Sequence, residues 1–451
     1  MSSAGAPCIA VVGGGFSGLL TAIHLLERMP AAVVRLVEKA PRFGLGRAYA
    51  AANPDHLLNV RAANMSAFPD RPDHFKAWLE ARDVAGDGFV SRGLYGVYLQ
   101  ELLREAIGPE GHPGRLLLEQ DEAVDVEPRG GRAILRLAMG REIEVDAVVL
   151  AVGLAAPASE SGEAGNLYVP DPWTLDPAAA PEGEILLIGS GLTMVDVALS
   201  LDRPGRRFLA ISRRGLLPRP HGPAPAVAAP EGPFATPREA MTRLRAHAAQ
   251  VGWRSAVDSV RPLTPSIWAG WDLKARRRFL RHARPWWDVH RHRMAPRVAA
   301  RIDEMTASGR LRIVAGQVVR LRAEGEALGV VLRPRGGTRT IRLSVAAAVD
   351  CTGLSGDLTR LPLLARLEAR GLLRGDPLGL GLDVDGSLRV VGSDGRPTRG
   401  LYAVGPLTRA ARWETLAAPD LRNQTDELAA TIHADLATGA DRASSGRICV
   451  P

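Results

Sequence analysis

The sequence predicts an α/β protein with two Rossmann-like dinucleotide-binding domains, and three observations carry that reading. A glycine turn set between a strand and a helix occurs twice, as Gly13-Gly14-Gly15-Phe16-Ser17-Gly18 and as Gly189-Ser190-Gly191-Leu192-Thr193-Met194. Each turn and helix is followed by a second β-rich run, VVRLVEK and RFLAISRR, so that both segments read as βαβ units. Two further apolar strands, ending in Ala151-Val152-Gly153 and Cys351-Thr352-Gly353, stand where one domain would hand the chain to the other. The second unit is therefore expected to be nested inside a discontinuous first one.

Between these landmarks the apolar spacing predicts helices over 73–80, 97–107, 236–250, 273–308, 363–373 and 419–436, with a small meander of strands over LLLE, AVDVEP, AILRLAM and EIEVDAVVL. A Pro- and Ala-rich stretch from Leu217 to Pro237 is expected to lack regular structure.

The chain has 451 residues, 46% of them hydrophobic, which is ordinary globular material for two or three domains. Its three cysteines, Cys8, Cys351 and Cys449, form no CxxC pair, so no disulfide framework, dithiol relay or zinc site is expected. No apolar run reaches the roughly 18 residues of a spanning helix, and the start, MSSAGAPC, lacks the charged segment of a signal peptide; the expected location is cytoplasmic, without a membrane. The net charge of +8 is local. Residues 261–301 hold eleven Lys or Arg against Asp272 and Asp288, and this one segment carries the whole excess.

In the first turn, Gly13 permits the tight bend, Gly15 lets backbone approach a pyrophosphate, and Gly18 lets helix and strand pack closely, while Phe16 and Ser17 open a helix whose free N–H groups face the anion. Glu38 falls at the end of the following strand, where a carboxylate accepts hydrogen bonds from a ribose diol, as a bound FAD would need. In the second turn Met194 replaces the third glycine, which suits looser and reversible nucleotide binding. Counting the same 25 positions from Gly189 reaches Arg214, preceded by Arg213, and a guanidinium there suits the 2′-phosphate of NADPH where an acid would repel it. On this reading residues 1–168 and 350–451 form the FAD-binding domain and 169–349 the NAD(P)-binding domain, with a Pro-rich and helical insertion at about 216–309.

The segments GGGFSG, GLGRAYAAANPDHLLNVRAANMSAFPD (44–70), VPDPW (169–173), GSGLTMVDVALSL, SRRGLLPRPHG (212–222) and GLYAVGPLTRAARWETLAAPDLRNQ (400–424) together resemble a group of bacterial FAD/NAD(P)-binding proteins related to class B flavin-dependent monooxygenases. The resemblance implies that Gly46, Arg47 and Asn59 lie near the flavin, that Gly405 and Pro406 approach its ribityl or pyrophosphate part, and that Trp413 and Thr415 close over its ring. Lys39, Val124 and Gly153 complete the expected FAD contacts, and Asn59 and Trp413 are the candidates for a catalytic role. Flavin disulfide reductases have Gly-Asp where this chain has Gly405-Pro406, so a carboxylate contact is missing. The Phe-Gly-His-Trp pattern of Baeyer–Villiger enzymes is also absent, with VPDPW in its place, and that chemistry is not expected.

The reading these features support is a FAD-dependent, NADPH-using oxidoreductase, a monooxygenase that oxygenates the nitrogen or sulfur of a small molecule through a reduced-flavin oxygen adduct, with molecular oxygen as co-substrate. Two alternatives stand beside it: an NADPH-dependent reductase or dehydrogenase that inserts no oxygen, and a flavin- or NADP-sensing binding protein with an acidic or nucleic-acid partner. His56 could be a loop acid or base or a structural residue; His282, His290 and His292 lack the cysteines of a metal site. The tryptophans at 253, 268, 271, 286 and 287 interleave with the basic residues, which fits a helical cap with a solvated basic face, a pocket for an anionic substrate, or, least, a nucleic-acid surface. Substrate identity and oligomeric state have no readable code in the sequence.

Overall fold

A computed structural model describes residues 6–50, 53–156 and 162–445. The chain divides into two compact units: Met1–Ala52, Arg61–Ala155 and Gly356–Pro451 form the first, and Asn53–Val60 with Ala156–Ser355 form the second. Residues 156, 162–168 and 350–355 thus cluster with the second unit, as does an eight-residue segment from the early part of the chain.

The first unit is built on a six-stranded sheet in the order 389–391, 397–403, 147–150, 8–12, 33–37, 116–119. All neighbours in it are parallel except the edge pair 389–391 and 397–403. At its centre, β1 (Cys8–Val12) pairs in register with β2 (Val33–Val37), and α1 (Phe16–Arg28) connects them. Burial explains the composition: Ile9 to Val11, Val34, Leu36 and Ala147 to Leu150 are wholly inaccessible, as the strands of a sheet covered on both faces must be. The meander 123–129, 132–137, 142–145 forms a separate three-stranded antiparallel sheet, and a long helix, Ala418–Ser445, ends the described chain.

The second unit has seven strands in the order 341–345, 327–334, 311–324, 206–212, 183–188, 347–350, 168–169. Its β3 (Gly183–Ile188), α2 (Leu192–Leu201) and β4 (Arg206–Ser212) repeat the βαβ scheme. Alternation along the strands sorts side chains to two cores: Ile185, Leu187, Phe208 and Ala210 pack with Met194 and Ile302 on one face, while Leu186, Leu209 and Ile211 pack with Leu328, Val330 and Leu332 on the other. The runs LRIVAG and VVRLRAE form one strand, Leu311–Glu324, which pairs with β4 as far as Ala315 and then turns into an antiparallel hairpin with a bulge at Val318/Arg320.

The stretch 217–236 contains no helix and no strand. The helix expected over 273–308 is instead divided into Leu273–Arg278, a π-turn Phe279–Ala283, Arg284–Arg291 and Pro296–Ala307. Pro285 and Pro296 stand in the first turns of the last two, where the missing N–H is tolerated, and so restart the helix. Three shorter helical segments, Trp253–Val260, Arg261–Leu263 and Thr264–Gly270, precede them. Trp268, Trp271 and Trp287 are buried within this insertion and only Trp286 is well exposed, at 41%. Buried rings cannot stack on bases, so Trp268, Trp271 and Trp287 serve as the core of this insertion, while Lys274, Arg277, Arg278, Arg281, Arg297 and Arg301 are exposed on it. Arg293, 3% exposed, is held by both oxygens of Asp258 at 2.8 and 3.0 Å and by the His290 carbonyl, which satisfies its buried charge.

Candidate functional site: two nucleotide turns on one plan

Both glycine turns are tied to their sheets by the same hydrogen bonds. Gly13 N–H donates to the Val37 carbonyl at 2.8 Å and Ala151 N–H to that of Val12 at 2.8 Å; in the second unit Gly189 donates to Ile211 at 2.7 Å and Cys351 to Ile188 at 2.8 Å. The first glycine of each turn has positive φ, +105° at Gly13 and +122° at Gly189, and in each a Cβ would lie 2.5 Å from a carbonyl oxygen, that of Ala151 or Cys351. At Gly18 a Cβ would come 1.8 Å from the Gly13 oxygen, so helix and turn are in direct backbone contact. At the matching place Met194 is wholly buried in the apolar core, which requires α2 to stand further off its turn.

Gly15 and Gly191 differ from these. A Cβ on Gly15 would meet only the Gly46 backbone, at an ordinary 3.4 and 3.8 Å, and on Gly191 nothing within 4 Å. The chain itself therefore makes no demand for glycine at either place, and a ligand backbone passing over them does. The helix ends agree: neither α1 nor α2 has a side-chain cap or an acidic residue in its first turn, which leaves their N–H groups to an anion. Both turns fit a pyrophosphate.

Around the first turn the structure gathers several of the expected residues. Glu38 accepts from Gly14 N–H at 2.8 Å and Ala40 N–H at 3.0 Å, which fixes its carboxylate at the strand end. Gly46 faces Gly15. Gly405 lies against Ser17, where a Cβ would sit 3.0 Å from the hydroxyl. Gly405 N–H donates to Gln424 Oε1 at 2.8 Å, and Gln424 in turn donates to Thr408 Oγ1 at 2.7 Å. This buried glutamine closes the Gly405–Thr408 turn without the carboxylate that the Gly405-Pro406 sequence lacks; it ends the 400–424 segment, and no charge or spacing in the sequence marks it. Gly153 has open space where a Cβ would be. Thr415 is buried and its hydroxyl donates to the Arg412 carbonyl at 2.8 Å, Trp413 is half-buried beside it, and Pro406 is half-buried. Of the remaining expected contacts, Lys39 is exposed and pairs with Glu122 at 3.3 Å, Arg47 is exposed, and the Val124 carbonyl accepts from Arg366 at 3.0 Å.

Asn59 belongs with the second unit, where its carbonyl lies 3.0 Å from His221 Nε2. In the same segment Asn53 donates to Ser200 Oγ at 3.0 Å, and His56, 5% exposed, places Nε2 at 2.8 Å from that hydroxyl and 3.1 Å from the Asp196 carbonyl. His56 is accordingly a structural anchor of the Asn53–Val60 segment.

Around the second turn the register corrects the count that selected Arg214. Val37 and Ile211 are equivalent through their bonds to the first glycines, which makes Ser212 the counterpart of Glu38. The loop from first glycine to strand end is shorter here, so a fixed count overshoots. Ser190 Oγ lies 2.7 Å from Ser212 Oγ and donates to the Leu216 carbonyl at 2.6 Å, in the place where Gly14 meets Glu38. A neutral hydroxyl thus replaces the carboxylate. A turn follows, closed by Gly215 N–H to Ser212 Oγ at 3.0 Å. It separates two arginines: Arg213 is exposed, whereas Arg214 donates to the carbonyls of His282 and Arg281 at 3.2 and 3.3 Å. Leu192 and Thr193 are half-buried at the start of α2.

Among the described residues neither cysteine is activated as a thiolate. Burial pushes the Cys351 thiol far up, with Asp350 adding to the shift, and it pushes the Cys8 thiol up as well. Tyr168 donates to Asp350 Oδ2 at 2.9 Å; burial and that carboxylate raise its phenol, so it stays a donor.

Two mixed sheets, each with a glycine turn after an inner strand that is paired in parallel on both sides, define a class: proteins with paired dinucleotide-binding domains. Residues 10–155 match the model of the family described as FAD-NAD(P)-binding. A stretch of 275 residues is 30% identical to the L-aspartate N-monooxygenase (nitrosuccinate-forming) of Streptomyces cremeus, covering 48% of this chain and 39% of that protein. The chain thus spans well under half the length of this relative. Among solved structures, the reduced ornithine hydroxylase of Pseudomonas aeruginosa shares the fold with a TM-score of 0.64 at 19% identity, over 96% of this chain and 100% of that one. The L-lysine 6-monooxygenase of Pseudomonas syringae does so with 0.63 at 17% identity, over 95% and 99%. Among the described residues no helix is long and apolar enough to cross a membrane.

Proposed function

We propose that this chain is a FAD-dependent, NADPH-using monooxygenase that oxygenates the amino nitrogen of a small, amino-acid-like molecule. The observation that carries the reading is the pair of turns built to one plan but finished differently. The first unit ends its strand in the fixed carboxylate of Glu38 and holds FAD; the second ends in Ser212 and Arg213 and takes NADPH. When bound, FAD supplies hydride acceptance and oxygen activation.

The chain's own residues do the rest. Gly15 and Gly191 admit the two pyrophosphates, and the free N–H groups of α1 and α2 neutralise them. Glu38 accepts from a ribose diol, while the Ser212 hydroxyl removes the charge that would repel a 2′-phosphate, which Arg213 then pairs. Without a CxxC pair and with Cys351 buried as a thiol, no dithiol can relay electrons. Electrons reaching the flavin leave to oxygen or directly to substrate, and the relatives' printed activities favour oxygen with a nitrogen acceptor.

The test is oxygen and NADPH consumption by the FAD-loaded protein across a panel of amino acids, with the hydroxylated product identified by mass. Coupled consumption and a product one oxygen heavier support the proposal. NADPH oxidation that yields only peroxide, whatever acceptor is added, would instead support a reductase that inserts no oxygen.

A further inference from the structure

Lys274, Arg278, Arg281 and His282, with Arg277, line an open cleft of about 570 Å³ on the helical insertion. Lys274, Arg278 and Arg281 are exposed, and among the described residues no carboxylate pairs with any of the three. Asp272, the acid on the same rim, is engaged as the cap of its helix, accepting from Ala275 N–H at 2.7 Å. Lys274 and Arg278 stand four residues apart and Arg278 and Arg281 three apart, spacings at which like charges face each other and destabilise a helix. A bound anion relieves that repulsion.

The cleft is also fastened to the nucleotide-binding strand. Pro285 has no N–H, so the Arg281 carbonyl, four residues back, lacks its helical donor. Arg214 supplies one from two residues beyond β4, bonding the Arg281 and His282 carbonyls at 3.3 and 3.2 Å across the π-turn Phe279–Ala283. Wide turns of this kind recur at functional sites. Here one arginine of the Ser212–Gly215 turn holds the cleft wall while its neighbour Arg213 is exposed beside the same strand end.

We propose that this cleft completes the 2′-phosphate site of the coenzyme: Lys274, Arg278 and Arg281 contact the phosphate together with Arg213, and Arg214 is a positioning residue that sets the cleft against the end of β4. Selection of NADPH over NADH would then reside largely in the insertion and less in the Rossmann strand. The inference rests on the reading that the second unit takes NADPH.

The test is calorimetric binding of 2′,5′-ADP and of 5′-AMP to the FAD-loaded protein, its Arg278→Ala/Arg281→Ala variant, a Lys274→Ala variant and an Arg213→Ala variant. Retained FAD content checks the fold, and Arg278→Glu gives a second, charge-reversed reading. The unaltered protein should bind 2′,5′-ADP at least about tenfold more tightly than 5′-AMP, the scale of one charged hydrogen bond. The double variant should lose about tenfold or more for 2′,5′-ADP while 5′-AMP serves as the unchanged reference. Full retention of 2′,5′-ADP affinity by the double variant, with loss in Arg213→Ala, would overturn the cleft assignment and leave the NADPH reading intact. Equal weakening of both probes would overturn it too, by showing a general field in place of a phosphate site. Failure of the unaltered protein to distinguish the probes would overturn the NADPH reading itself. A variant that changes only the KM for an acidic substrate would assign the cleft to that substrate and also sink the proposal.

Discussion

The turn at Gly13 and the turn at Gly189 share the same pair of backbone bonds to their sheets, and two of their differences bear on the nucleotide: Gly18 against Met194, and Glu38, met by Gly14, against Ser212, met by Ser190. The shared part is what a parallel sheet needs to reverse its chain over a strand end, and it is conserved between the units because carbonyl oxygens lie 2.5 Å from any Cβ at the first glycine. On the proposed function, the differing part sets how tightly the helix seats and which ribose substituent is tolerated.

Swapping the two third positions breaks the comparison most sharply. Gly18→Met places a side chain where even a Cβ meets the Gly13 oxygen at 1.8 Å, and the expected outcome is a first unit that does not fold, seen as loss of soluble, FAD-containing protein. The reverse change, Met194→Gly, restores the fingerprint in letters but empties part of a core; it should destabilise by about 2–5 kcal/mol through the cavity, with ~1 kcal/mol more for a helix-interior glycine, measured by denaturant unfolding. An unchanged midpoint would mean that α2 can close onto its turn.

The second position is sharpened by Ser212→Glu, which restores the carboxylate of the first unit. NADPH affinity should fall roughly 10- to 100-fold, the worth of one or two charged contacts, with NADH affected far less; equal losses would remove Ser212 from the coenzyme's ribose end. The smallest effect concerns the first unit alone. His74 and His112 are both held below their usual value of 6.5, first by burial and then by Arg71 and Arg115 respectively. Their neutral forms are favoured in the fold, so the stability they confer is present above pH 6.5 and is lost as the pH falls through their lowered values. Amide protection factors in the helix His74–Glu80, corrected for the pH dependence of intrinsic exchange, should fall modestly below that pH.

Much of this architecture was legible because it is local. Strand, glycine turn and helix follow within about twenty residues at both sites, and the burial of 147–150 and 347–349 is written in unbroken apolar runs. The register of Ser212 was not legible, because counting from Gly189 assumes a loop of equal length, and only the Gly189 to Ile211 bond fixes the true equivalence. The break of the long basic helix was visible in Pro285 and Pro296 but was outweighed by helical spacing on either side. Asn59 was placed by resemblance near the flavin; its partner His221 lies 162 residues away, a separation that no local pattern records.

That separation has a consequence for how the chain comes into being. Asn53–Val60 is synthesised early, yet the groups that receive it, Ser200, Asp196 and His221, emerge from the ribosome far later. At about 5–20 residues per second, the segment waits on the order of ten to thirty seconds for its seat. A shortened gene covering 156–355 alone would encode a second unit missing one of its own pieces, so the two nucleotide turns, alike as they are, are not separable modules of inheritance.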